Sequence, residues 1–236
     1  MSNSYFSFKQ FTIYHDKCAM KVGTDGVLLG AWTPTNNAMR ILDVGAGTGL
    51  ISLQLAQRNS MAKIIAIEID AMAAEQAKDN VARSPWAERI KIVCCDFKDY
   101  QSENKFDLIV SNPPYFIDAT KCPADERNMA RHTGNLNYEL LFSKSAHLLN
   151  GKGLLSIIVP TEMEKHVLDA AWNNKLYLQH RTNVYTKPGK TCRRLLLCFG
   201  FSNTKWETTD DLFIESKQGG YTTEYINLTK DFYLKM

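Results

Sequence analysis

Arg40-Ile-Leu-Asp-Val-Gly-Ala-Gly-Thr-Gly49 is the stretch whose reading decides the fold. Its first half is a short, largely apolar run of the kind that forms a strand covered on both faces. Its second half is a glycine turn. Residues 50–59 then place Leu50, Leu53 and Ala56 or Gln57 at helical spacing. A strand that turns through glycines straight into a helix is the first unit of an open α/β sheet.

Working outward, the same alternation continues. Residues 63–69, 89–95, 106–110 and 153–159 read as strands. Residues 71–83, 138–149 and 162–174 read as helices, the second stopped by Asn150-Gly151. Residues 178–185 and 193–201 are two strands joined by a basic loop containing Pro188-Gly189. That loop is too short for a parallel crossover, so the pair is an antiparallel hairpin. The expected fold is α/β: a Rossmann-like, doubly wound, mostly parallel seven-stranded sheet with a C-terminal antiparallel hairpin. One domain is expected over 1–236, with a lid at 1–35, the core at 36–201 and an extension at 202–236. The long polar loop 117–135 has the composition of a functional loop.

Composition narrows the classes. Of 236 residues, 44% are hydrophobic and 22% charged, which suits a folded domain and excludes a disordered chain. The six cysteines form no C-x-x-C pair and the five histidines no H-x-x-x-H pair, so reduced thiols and no metal site are expected. No leader-like start and no long apolar run are visible, so neither export nor a membrane span is expected, and the setting is read as cytoplasmic. No feature marks an obligate protein partner. Residues 117–200 carry 12 basic against 7 acidic side chains, a local excess that suits a polyanionic substrate.

Strand ends supply the candidate cofactor residues. Gly45, Gly47 and Gly49 follow the spacing G-x-G-x-G rather than the dinucleotide G-x-G-x-x-G. Asp43 stands directly before them. Its carboxylate would repel a pyrophosphate and attract the ammonium of a methionine moiety, so the pattern favours S-adenosylmethionine over a nicotinamide dinucleotide. Glu68, with Asp70 beside it, ends the second strand, where a carboxylate can accept from both ribose hydroxyls. Asp96 and Phe97 follow the third strand and are candidates for the cofactor's adenine amino group and ring.

The fourth strand ends in Asn112-Pro113-Pro114-Tyr115, then Phe116. Two prolines lock the backbone and remove its donors, leaving the Asn112 oxygen and the Pro113 carbonyl as acceptors. An amino group conjugated to a ring is a poor nucleophile, because its lone pair is delocalised. Accepting its N–H bonds from one side pulls the nitrogen toward tetrahedral and aims the lone pair at a methyl donor. Tyr115 or Phe116 can stack on a planar substrate. The chemistry is then positioning and electrostatics, without a covalent enzyme intermediate.

Taken together, Asp43 to Gly49, Glu68, Asp96 and Asn112 to Tyr115 resemble the class I S-adenosylmethionine-dependent methyltransferases with an N-P-P-Y motif. Phe8-Lys9-Gln10-Phe11, Gly23-Thr-Asp-Gly-Val-Leu-Leu-Gly-Ala-Trp32, Val110 to Phe116 and the ending from Gly220-Tyr221 to Tyr233 resemble the bacterial tRNA1(Val) adenine-37 N6-methyltransferase family. The resemblance covers nearly the whole chain. It implies a tRNA substrate, with methylation of the amino group of an adenine beside the anticodon, and a target-base site at Asn112, Pro113, Pro114 and Tyr115. It also implies that Thr24 and Asp25, with Lys21 nearby, face the methionine end of the cofactor. Gly30-Ala31-Trp32 reads as packing.

Candidate RNA contacts are Lys187, Lys190, Arg193 and Arg194 on the hairpin, and Lys121, Arg127, Arg131 and His132 after the motif. Phosphate contacts would position the RNA while the pocket chose the base. Three other readings stay open on the residues alone: a guanine N2 acceptor, a protein glutamine amide, and a module that binds cofactor or RNA without turnover. The absence of a helical domain before Arg40 weighs against the glutamine reading.

Overall fold

A computed structural model describes residues 3–18, 21–114, 137–203 and 208–236. Strands β1 (Tyr5–Ser7) and β2 (Thr12–Tyr14) form an antiparallel ribbon. Helix α1 (Thr24–Trp32) follows, then β3 (Arg40–Val44), α2 (Leu50–Arg58), β4 (Lys63–Glu68) and α3 (Ala71–Ala82). Next come β5 (Ile90–Cys94), β6 (Phe106–Ser111), α4 (Tyr138–Leu148), β7 (Leu149–Pro160) and α5 (Glu164–Asn173). The chain closes with β8 (Tyr177–Tyr185), β9 (Arg194–Gly200), β10 (Thr208–Phe213) and α6 (Thr223–Thr229).

The main sheet has the order β10-β8-β9-β7-β6-β3-β4-β5. Only β9 runs against its neighbours, pairing antiparallel with both β7 and β8. The mostly parallel sheet and its hairpin are as expected, but it holds eight strands rather than seven. The added strand is β10, parallel to the outer hairpin strand β8. Its sequence Thr-Thr-Asp-Asp-Leu-Phe is largely exposed, so it lacks the apolar run that marks a central strand.

Alternation along each strand feeds two cores. Ile41, Ile64, Leu108, Val110, Ile158 and Leu196 face α1, α2 and α3. Leu42, Ile67, Ile109, Ile157, Leu195, Leu197 and Phe199 face α4 and α5. Successive residues going to opposite layers is what a sheet covered on both faces requires.

Helix α1 lies against α2 at a glycine contact: a Cβ on Gly30 would fall 2.2 Å from Gln54 Oε1. At its far end Trp32 Nε1 donates to Thr182 Oγ1 at 2.8 Å and the indole stacks on His180 at 4.8 Å. These contacts bring the start of α1 over the carboxyl ends of the strands. The Phe8–Phe11 stretch is structural. Phe8 stacks on Phe11 at 4.7 Å, Phe11 meets Trp86 at 5.8 Å, and Lys9 N donates to Phe232 O at 2.8 Å. The two chain ends are thereby tied together.

Asn80 joins the ribbon to the glycine turn. It is buried in α3, where Nδ2 donates to Tyr14 O and Thr48 O, each at 2.9 Å, and Oδ1 accepts from Tyr14 N at 2.9 Å. Asn80→Ala would strand all three backbone groups. An expected loss of about 2–4 kcal/mol follows from the cost of unsatisfied buried groups, and denaturant unfolding checks it. A variant as stable as the parent would show that the ribbon does not depend on this bridge.

Candidate active site

Strand order reverses between β3 and β6, the switch point of the sheet, and there a cavity of about 550 Å³ opens beyond the strand ends. Its walls include Thr24, Asp25, Gly45, Gly47, Glu68, Asp70, Asp96, Phe97, Asn112 and Pro114. Eight of the ten candidate cofactor residues and two of the motif thus meet in one cleft. Gly23, Gly26, Lys21, Ile51, Ala73 and Cys95 also line it.

The glycine turn is held from below. Ile67 O accepts from both Gly45 N and Ala46 N at 2.9 Å. Gly47 has φ +54° and an added Cβ would meet nothing within 4 Å, so its conformation calls for glycine while the space beside it stays open for a ligand. Glu68 is the hinge of the arrangement. Oε2 accepts from Gly47 N at 2.7 Å and Oε1 from Asp70 N at 2.9 Å. Each oxygen keeps a lone pair for a further donor. Asp70 itself caps α3, accepting from Ala73 N at 2.8 Å.

Asp43 does not reach the cleft. It is fully buried beneath the turn, where Ser52 Oγ donates to Oδ2 at 2.7 Å while Oδ1 has no partner. Burial pushes its carboxyl up to about 6, against the Ser52 bonds and with help from the Glu68 charge. The folded chain therefore keeps a proton that the unfolded chain loses between about pH 4 and pH 6. Stability from this group falls as pH rises through that window and levels off above it. Asp43→Asn should then gain on the parent by roughly 2–3 kcal/mol between pH 4 and pH 7, read by denaturant unfolding at both. A gain independent of pH would mean that Asp43 is ionised throughout. Gly49 also lies outside the cleft wall, at the left-handed start of α2, where an added Cβ would fall 3.5 Å from Ala77 Cβ.

Asp96 lines the cleft but is already engaged. Lys98 N donates to Oδ1 at 2.9 Å and Lys98 Nζ lies 3.1 Å from Oδ2. Burial opposes ionisation there, yet the Lys98 bonds and charge outweigh it and hold the carboxyl below its ordinary value. Phe97 is a core residue that reaches the cleft wall, with Lys144 Nζ 5.4 Å from its ring centre.

The Asn112 motif is placed by β6. Ser111 pairs with Val44 across the β3–β6 ladder and its buried Oγ donates to Val44 O at 2.8 Å. The chain therefore leaves β6 directly beside the glycine turn. Asn112 and Pro114 line the cleft, while Pro113 is buried. Tyr115, Phe116, Lys121, Arg127, Arg131 and His132 lie outside the described residues.

Of the hairpin cations, Arg194 is brought to the site: Nε donates to Asp25 Oδ2 at 2.7 Å. Arg193 and Arg194 line a second groove that also includes Gly23, Thr24 and Asp25. Lys187 and Lys190 occupy the loop between β8 and β9 and line neither cavity.

A solved structure of a predicted O-methyltransferase from Agrobacterium tumefaciens superposes with a TM-score of 0.68 at 19% identity, over 88% of this chain and 96% of that one. A TehB-like S-adenosylmethionine-dependent methyltransferase from Corynebacterium glutamicum superposes at 0.53 and 19%, over 77% and 89%. The fold is that of the class I S-adenosylmethionine-dependent methyltransferases.

Residues 19–185 match the Methyltransferase small domain family. Full-length relatives are named tRNA1(Val) (adenine(37)-N6)-methyltransferase, among them one from Phocaeicola vulgatus, 54% identical over all of both chains. Another, from Aeromonas hydrophila, is 46% identical over 99% of each. This chain belongs to that family.

Proposed function

We propose that this chain methylates the N6 amino group of an adenine in tRNA, the position-37 adenine of tRNA1(Val) being the one for which its relatives are named. The observation that carries the reading is the meeting of Asn112 and Pro114 with the glycine turn and Glu68 in one cleft. S-adenosylmethionine supplies an electrophilic methyl group on a sulfonium.

The residues of this chain do the positioning. Glu68 presents two carboxylate oxygens, each with a lone pair left for the ribose hydroxyls. The start of α1 has no side-chain cap, and its first-turn amides suit the carboxylate of the methionine moiety. Asp96 lies on the same wall for the adenine end, its charge maintained by Lys98. Phe97 adds an apolar edge there.

Asn112 and the Pro113 carbonyl accept the N–H bonds of the target amino group and turn its lone pair toward the methyl group. The C–N bond forms as the methyl–sulfur bond breaks, and the nitrogen then gives up one proton to water. Tyr115 and Phe116 are the candidate stacking residues for the base, and Lys121, Arg127, Arg131, Lys187, Lys190, Arg193 and Arg194 the candidate phosphate contacts. Residues 1–35 serve as the wall and lid of the cleft. The base must leave its stack to enter, which an anticodon loop permits at low cost. The setting that fits is the cytoplasm; no helix among the described residues is long and apolar enough to cross a membrane.

The test is methyl transfer from labelled S-adenosylmethionine to unmodified tRNA, ribosomal RNA and protein side by side, with the nucleosides resolved. Label in tRNA as N6-methyladenosine is expected. Label in protein, or as a methylguanosine, would overturn the substrate and leave the chemistry standing.

A further inference from the structure

The Asp25–Arg194 pair stands at the seam between the methyl-transfer cleft and a second, larger groove of about 1160 Å³. Gly23, Thr24 and Asp25 line both, so the two adjoin. The walls of the second groove come from β1, the start of α1, the β8–β9 hairpin, the segment after β10 and the C-terminal residues.

The rings in this groove exceed what packing needs. Phe6 is 37% exposed and Tyr221 52% exposed. Each is backed by another ring, Phe6 by Tyr233 edge-on at 6.0 Å and Tyr221 by Tyr225 at 5.1 Å, and Tyr225 is buried. They are therefore braced platforms with a free side. Arg193 and Lys235 line the same groove; its acidic members are Glu215 and Asp25, and Asp25 is engaged by Arg194. A ligand that uses both features is planar, heteroaromatic and anionic. Single-stranded nucleic acid has that chemistry: bases stack on aromatic faces while phosphates meet guanidinium and ammonium groups. A duplex keeps its bases stacked on one another and leaves the platforms unused.

We propose that this groove holds unpaired nucleotides flanking the target base, with bases stacked on Phe6 and Tyr221 and phosphates on Arg193 and Lys235, and that the target base crosses into the methyl-transfer cleft at Thr24 and Asp25. The proposal rests on the RNA reading above and adds the surface that carries the loop. It also gives the two chain termini a shared task beyond closing the fold.

The experiment compares Phe6→Ala and Tyr221→Ala with the ring-preserving Phe6→Tyr and Tyr221→Phe, using unmodified tRNA and an anticodon stem-loop in filter binding and in methyl transfer. Each alanine should raise Kd and KM for RNA roughly tenfold or more, with kcat at saturating RNA, S-adenosylmethionine affinity and thermal midpoint retained. The ring-preserving variants should behave as the parent. Alanine variants that bind RNA as the parent does, from a parent that methylates tRNA, would overturn the groove and leave the substrate reading intact. A parent that sediments as a dimer, dissociated by the same alanines, would make the groove a self-interface and overturn the proposal. A parent that methylates no RNA would remove the substrate reading, and this groove's role with it.

Discussion

Asn112→Ala is expected to lower methyl transfer by on the order of a hundredfold to a thousandfold while cofactor affinity stays within about twofold. The reasoning starts from the nucleophile. An exocyclic amino group shares its lone pair with the ring and attacks a methyl group poorly until that sharing is broken. In the proposed step the protein contributes acceptors fixed in place. Pro113 and Pro114 remove two backbone donors, and Ser111, bonded to Val44 O at 2.8 Å, fixes where the motif leaves the sheet. A rigid acceptor needs no reorganisation when the transition state forms, which is why its loss falls on kcat. Asn112→Asp keeps an acceptor oxygen and should retain more turnover than Asn112→Ala. Calorimetry with S-adenosylmethionine separates the two effects, since the glycine turn and Glu68 are untouched. Unchanged turnover in Asn112→Ala would end the proposed mechanism. Lost cofactor binding would make the residue part of the cofactor seat instead.

Much of this arrangement was legible in the sequence, for reasons that can be named. The glycine turn was readable because Gly47, at φ +54°, takes a backbone conformation that other residues rarely adopt. The strands β3, β4, β6, β7 and β9 were readable because both faces are covered, so each carries a short apolar run. Helix α1 was less visible as a helix. Its residues 26–31 are all buried, and an element covered all round has no polar face to set a period. Strand β10 was invisible for the opposite reason: an edge strand with four exposed residues in a row looks like a loop.

Supporting residues were the hardest to see. Asn80 and Ser52 belong to no motif, yet each holds a functional element in position. Asn80 did carry a signal. It shares the buried stripe of α3 with Ala73, Ala77 and Val81, and a polar residue on an apolar stripe must have partners. The Asp25–Arg194 pair, 169 residues apart in sequence, had no local signal at all. Asp43 was expected at the ligand. It lies buried under the turn, bonded to Ser52 of α2, and no spacing rule distinguishes a side chain that faces a cleft from one that faces the core.

Glu68→Ala should have the second large effect, lowering affinity for S-adenosylmethionine on the order of a hundredfold. The carboxylate does two things at once. It accepts from Gly47 N at 2.7 Å and from Asp70 N at 2.9 Å, which couples the glycine turn to the end of β4. Its remaining lone pairs are the proposed acceptors for the two ribose hydroxyls. Hydrogen bonds to a charged acceptor contribute about 1.5–3 kcal/mol each, so losing two of them accounts for the expected size. Glu68→Gln keeps one acceptor oxygen but turns an N–H₂ toward a backbone N–H, so it should fall between the parent and Glu68→Ala. Two measurements apportion the effect. Calorimetric titration gives the affinity, and denaturant unfolding without ligand gives the cost of the freed amides, expected near 2 kcal/mol. An affinity loss without a stability loss would assign Glu68 to the ribose alone. A stability loss with unaltered affinity would make it a brace for the turn and move the ribose seat to Asp70 or its neighbours.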